Sequence, residues 1–330
     1  MSSESSKLSS SSITFAQDVS YLAENQYVPL NKEIEVRIER LAKNVQNIAS
    51  EDFKKLGSNF QARIFEHAIS QGDTKKLDAH LTDEIASFLI KTEGGKQLAT
   101  KYYLNISSSP SGKCLKLQSA YLTHDEVKKI LEGIDPKERG EITTVDLSGC
   151  RINDLSLLNG FENLSVLNLT RCITLDKLSG IEVLPEIKEI KISGCYRLQS
   201  LKGLEGVVKL DKLDAGGCIN LKNIEAIAKL PLRELDLSDC DLLASLAPIE
   251  KLMKLEKLQL KNLMNLTTLN RCKGLVSLVY LDVSGSRVND IKGLAGLSKS
   301  LDFRCTGCPI EKTLAESNKL NSKQDVKSNH

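Results

Sequence analysis

The chain has 330 residues, enough for two domains, and 41% of them are hydrophobic, which suffices for a sizeable core. Its 45 basic and 43 acidic side chains leave a formal charge of +2, which argues against a strongly basic nucleic-acid binder. Tryptophan is absent and aromatics make up 4%, so a base-stacking platform is excluded too.

Residues 1–12, Met-Ser-Ser-Glu onward, are dominated by serine and are expected to be disordered. No basic region precedes an apolar run there, and no stretch of the chain approaches the roughly 18 apolar residues of a membrane span. The expectation is a cytoplasmic protein, with export to a host cytosol by an unrecognised signal as the alternative. Nine cysteines then read as free thiols rather than a disulfide framework.

Residues 13–104 are expected to form a small helical bundle. Ile34, Ile38, Leu41, Val45 and Ile48 step by four and three along one stripe of a helix over 31–49, with Asn31 as its N-cap. A second helix is expected over 59–70. A third is expected from Thr82, burying Ile85, Phe88 and Leu89. The serine-, proline- and glycine-rich segment 105–113 reads as a linker.

From residue 114 the text repeats. Val145-Asp-Leu-Ser-Gly-Cys150, Leu167-Asn-Leu-Thr-Arg-Cys172, Ile190-Lys-Ile-Ser-Gly-Cys195, Leu213-Asp-Ala-Gly-Gly-Cys218 and Leu235-Asp-Leu-Ser-Asp-Cys240 place cysteines 22, 23, 23 and 22 residues apart. The frame opens at Leu115-Lys-Leu117 and continues at Leu258, Leu281 and Leu301, which makes nine strands. Such a period marks a solenoid whose units bury apolar surface only against their neighbours. The first unit is 30 residues long, from Ala120 to Cys150, and returns through an α-helix that starts at the capping-box spacing Thr123-His-Asp-Glu126. Later units carry apolar residues at every third place, as in Leu198, Leu201, Leu204, Val207 and Leu210, which suits extended or 3₁₀ backbone. Residues 309–330 are expected to hold a cap turn and a disordered tail.

The pattern L-x-x-L-x-L-x-x-C/N over residues 114–308 resembles the leucine-rich repeat family, in its short SDS22-like and cysteine-containing subclasses. The resemblance implies an α/β solenoid: a right-handed coil with a parallel β-sheet on its concave face, here preceded by the α-helical N-terminal domain.

The sequence offers no catalytic constellation. The motifs of phosphate loops, nucleophile elbows and zinc proteases are absent, and the four histidines have no partner at suggestive spacing. The cysteine column reads as a buried ladder of small apolar thiols. Cys305-Thr-Gly-Cys308 has a zinc-like spacing but no second ligand pair, so no metal and no cofactor are expected.

The outward side chains of the strands are the better candidates, because side chains alternate along a strand. The residue between the two aliphatics gives Asp146, Asn168, Lys191, Asp214, Asp236, Gln259 and Asp282, with Lys116 and Asp302 at the ends. The flanking column gives Glu189, Lys212, Glu234, Lys257 and Tyr280, whose cations are expected to relieve the stacked aspartates. Without the two end residues Lys116 and Asp302, these twelve are the candidate surface of a non-catalytic, monomeric scaffold that binds a polypeptide partner. Two alternatives stand beside it. One is the recognition subunit of a ubiquitin ligase, since cysteine-containing repeats resemble those that follow an F-box, for which 28–34 is correctly placed. The other is an effector of an intracellular pathogen.

Overall fold

The computed structural model describes residues 17–24, 32–43, 53, 55–70, 86, 89, 103–110, 112–117, 122–243, 245–298 and 300–315. The chain divides into two compact units, one of 1–105 with 128–133, the other of 106–127 with 134–330. The expected disorder of 1–12, the caps at Asn31 and Thr82, most of the F-box-like stretch, and the tail beyond 315 lie outside the described residues.

In the first unit, α1 (Lys32–Lys43) buries Ile34, Ile38 and Leu41 along the expected stripe. It packs against α2 (Ser58–Ser70), whose Ile64, Phe65 and Ala68 are buried. Residues 17–24 are also helical. There Asp18, 1% exposed, accepts 2.8 Å hydrogen bonds from the Arg37 and Arg40 guanidinium groups. A buried carboxylate needs such partners, since burying it unpaired would be prohibitive. Leu89 is helical and fully buried; Ile85 and Phe88 lie outside the described residues.

The second unit is built on a ten-stranded sheet in sequential order. β1 (Leu104–Ser109) and β2 (Gly112–Leu117) are neighbours joined across Pro110 and Ser111, and a two-residue connection permits only antiparallel pairing. The segment expected as a linker, 105–113, therefore carries β1 and the start of β2. β1 is an edge strand whose last residues are exposed, so backbone pairing rather than apolar content makes it a strand, and a serine run is compatible with it.

The remaining strands follow one per repeat, all parallel: β3 (Ile142–Asp146), β4 (Val166–Asn168), β5 (Glu189–Lys191), β6 (Lys212–Asp214), β7 (Glu234–Asp236), β8 (Lys257–Gln259), β9 (Tyr280–Asp282) and β10 (Asp302–Arg304). The middle residues Leu167, Ile190, Leu213, Leu235, Leu258 and Leu281 stand in register and are at most 2% exposed. Pairing continues beyond each strand: Leu169 N–H donates to the Lys191 carbonyl at 2.7 Å, and Arg171 N–H to that of Ser193 at 2.7 Å.

The chain then turns through a backbone of positive φ. Glycine supplies it at 149, 194, 217, 285 and 307, while Arg171, Asp239 and Asn262 adopt φ of 59°, 57° and 59° at the equivalent places. The return path uses α3 (His124–Glu132) and α4 (Pro136–Glu141) in the first repeat and short 3₁₀ turns in the later ones, as the three-residue period dictates.

The last strand differs from the expected frame. Phe303, not Leu301, pairs with Leu281, so Arg304 rather than Asp302 continues the central outward column. A slip of two residues preserves which side chains face out, and alternation alone cannot detect it. The same register puts Cys308 in the cysteine column, where its thiol donates to the Val283 carbonyl at 3.0 Å.

Candidate functional site

The strands bury their middle aliphatic side chain and turn the two flanking ones to the opposite face of the sheet, which places the twelve expected residues on one face, with Asp282 covered there. Nine of the twelve, from Glu189 on β5 to Tyr280 on β9, line a cavity of about 240 Å³. Asp146, Asn168 and Asp282 lie outside it.

The acidic column has a structural task. Asp146, Asp214, Asp236 and Asp282 each accept through Oδ1 from the backbone N–H two residues on, Ser148, Gly216, Ser238 and Ser284, at 2.9, 3.1, 2.8 and 2.9 Å. Asn168 does the same for Thr170 at 3.0 Å. This is the Asx turn, which fixes the exit from each strand and explains why Asp and Asn recur there. The spacing Asp-x-Ser was the signal for it in the sequence.

Their second oxygens differ. Asp236 Oδ2 accepts from Gln259 Nε2 at 2.9 Å, and Asp282 Oδ2 from the Tyr280 hydroxyl at 3.3 Å. Asp282, expected on the open surface, is only 6% exposed, because Tyr280 and the Ser284 turn close over it. Burial pushes the Asp236 carboxyl above its ordinary value, despite the Ser238 bonds that lower it, with Asp214 adding to the rise. At Asp282 burial also pushes upward, but the bonds from Ser284 and Tyr280 prevail and leave its pKa lowered.

The flanking column does not relieve the aspartates as expected; it neutralises itself. Lys212 Nζ lies 2.9 Å and Lys257 Nζ 3.5 Å from Glu234 Oε1, and Lys191 Nζ lies 3.0 Å from Glu189 Oε1. The Lys212 contact first, then that of Lys257, holds the Glu234 carboxyl below its usual range. Parallel strands in register bring these alternating charges side by side. Beside Tyr280 in that column, the Arg304 guanidinium of the central column stands 5.1 Å from the ring centre, a contact that follows from the observed register of β10.

Away from this face, the thiols of Cys172, Cys195, Cys218 and Cys240 are buried and donate to carbonyls of the preceding repeat at 3.2 to 3.3 Å. Burial pushes the Cys150, Cys195 and Cys272 thiols up to about 12 and Cys218 to about 11, the reverse of what a nucleophile or metal ligand requires. Among the described residues no group of three or more His, Cys, Asp or Glu could hold a metal ion, and no helix is long and apolar enough to cross a membrane.

No protein-family model matches the chain, and no curated protein matches it. Among solved structures, internalin C2 of Listeria monocytogenes is similar, with 20% identity over 58% of this chain and 80% of that one and a TM-score of 0.46. An internalin F of the same organism shows 15% identity over 55% and 74%, with a TM-score of 0.34. The toll-like receptor TLR13, solved with an RNA named ssRNA13, shows 21% identity over 51% of this chain and 29% of that one, with a TM-score of 0.37. At these scores the likenesses carry no argument about function. The fold rests on the chain's own geometry, one short parallel strand per repeat, buried leucines in register and a buried thiol ladder at the turn: it is that of a leucine-rich-repeat protein.

Proposed function

We propose that this chain is a non-catalytic interaction scaffold that holds a polypeptide partner on the outward face of its sheet. The observation that supports it is the cavity across β5–β9, lined by paired charges that stay accessible: the side chains of Lys191, Lys212 and Lys257 remain 44, 45 and 55% exposed. A rigid sheet with fixed side chains binds at little entropic cost, since little is left to order on association. The buried thiols with raised pKa values, and the aspartates committed to turns, offer no group poised for catalysis.

Site-specific photo-crosslinking tests the reading. A photoreactive residue at Gln259, on the open face, should capture a discrete polypeptide in an extract of cells that make the protein. The same residue at exposed Lys222, on the return path, should not. Capture from Lys222 but not Gln259 would overturn the assignment of the face.

A further inference from the structure

Resting on that reading of the open face, we propose that its occupant is a partner segment lying extended across the strands, with a lysine or arginine side chain seated against Asp214 and an apolar one four residues further on against Tyr280. At about 240 Å³ the cavity is below the roughly 300 Å³ at which pockets for drug-sized ligands begin, so it accepts side chains rather than a free small molecule.

The charge left over on this face is negative. Lys212 and Lys257 are committed to Glu234, and Lys191 to Glu189, so three lysines and two glutamates leave one positive charge, which Asp214 and Asp236 together outweigh by one. Among the described residues no lysine or arginine lies within ion-pair distance of Asp214 or Asp236, which stand directly opposite each other on β6 and β7; Lys191 stands opposite Asp214 on β5, but its ammonium lies 3.0 Å from Glu189. Like charges directly opposite on neighbouring strands are unfavourable, and an incoming cation relieves them. Asp236 has both oxygens bonded, to the Ser238 N–H and to Gln259, whereas Asp214 is held only through Oδ1 by the Gly216 N–H. Gly216 sits beside both carboxylates, and its missing side chain keeps the approach open; a Cβ there would lie 3.5 Å from Asp214 Oδ1 and 3.6 Å from Asp236 Cγ.

Tyr280, three strands further on, is the aromatic at the far end of the cavity, held by its hydroxyl to Asp282. A rigid, partly buried tyrosine is the kind of residue that anchors protein interfaces. Three strand spacings make about 14 Å, which an extended segment covers in about four residues, and residues four apart face the same way. The cationic and the apolar side chain therefore reach their places together.

The test uses the full chain and a positional-scanning library of fluorescent peptides, with Arg, Lys, Glu or Leu fixed at each position in turn. Binding should concentrate in the Arg and Lys sub-libraries and rise further with an apolar residue four places on. Asp214→Asn should weaken it about tenfold, a loss that added salt reproduces in the wild type. That variant keeps the turn, because Asn168 already makes the same bond in β4. Tyr280→Ala should erase the apolar preference and leave the cationic one. No binding by any sub-library, a preference for Glu, or unchanged binding by Asp214→Asn overturns the proposal. If Gly216→Trp, which sets a bulky side chain beside Asp214 and Asp236, abolishes binding while Asp214→Asn does not, the open face stands as the binding surface and the cation proposal falls.

Discussion

The thiol of Cys195 donates to the carbonyl of Leu169, one repeat back, at 3.2 Å. Ser286, at the equivalent position four turns later, donates its hydroxyl to Leu260 at 2.8 Å. The column therefore asks for a small donor that can be buried, and cysteine meets it with the least polar burden. Cys195→Ser should cost less than about 1 kcal/mol in urea denaturation, because the serine keeps the bond. Cys195→Ala removes the donor and leaves a small void, and should cost about 1–3 kcal/mol.

The same burial sets a pH dependence. From an ordinary 9.0, burial raises Cys150, Cys195 and Cys272 to about 12 and Cys218 to about 11. The folded values lie above the unfolded ones, so the thiols' contribution is complete below pH about 9 and is lost as pH climbs towards 12. Thermal unfolding followed across this range should show Tm falling more steeply than in a variant with Ser at 150, 195 and 218. At pH 8 a thiol-alkylating reagent should modify half-exposed Cys114 and Cys305 before the column, which should react only on unfolding.

Thr123 and Glu126 form a reciprocal cap on α3: Thr123 N–H donates to Glu126 Oε2 at 2.9 Å, and Glu126 N–H to Thr123 Oγ1 at 3.4 Å. Thr123→Ala should lower stability by about 1 kcal/mol in chemical denaturation. Thr123→Ser, which keeps the acceptor, should recover most of that loss.

Two glycines should respond in opposite ways. Gly180 adopts φ +92°, and a Cβ there would fall against backbone atoms of the preceding repeat, among them Leu155 C at 2.7 Å. Neither the conformation nor the neighbouring backbone yields cheaply, so Gly180→Ala should destabilise by more than about 2 kcal/mol. Gly216→Ala has room at van der Waals distance and should shift stability by less than about 0.5 kcal/mol. Equal effects in differential scanning calorimetry would contradict the packing described for the two turns.

Much of this fold was legible because a solenoid writes one structural unit many times. Alternation around Leu167, Ile190 and Leu213 assigned inside and outside for the repeat strands, and the three-residue period gave the 3₁₀ returns. What escaped reading depended on pairing rather than pattern. β1 is a polar edge strand that only its neighbour makes a strand, and the register of β10 is set by hydrogen bonds to β9 that a two-residue slip leaves equally plausible in the text. At the site, alternation placed the charges on the outward face of the sheet but not their partners. That Lys212 bonds Glu234 instead of an aspartate, and that Asp282 is covered by Tyr280, follow from side-chain geometry alone.

The central claim is that a polypeptide lies on the open face across β5–β9. The most direct measurement is a calorimetric titration of the crosslinked partner, once isolated, into the wild-type chain and into Gly216→Trp, with thermal unfolding recorded for both. A bulky side chain at 216, beside Asp214 and Asp236, should weaken binding at least about tenfold, roughly 1.4 kcal/mol, while the unfolding temperature changes little. Equal affinity for the two chains would mean that the partner binds elsewhere.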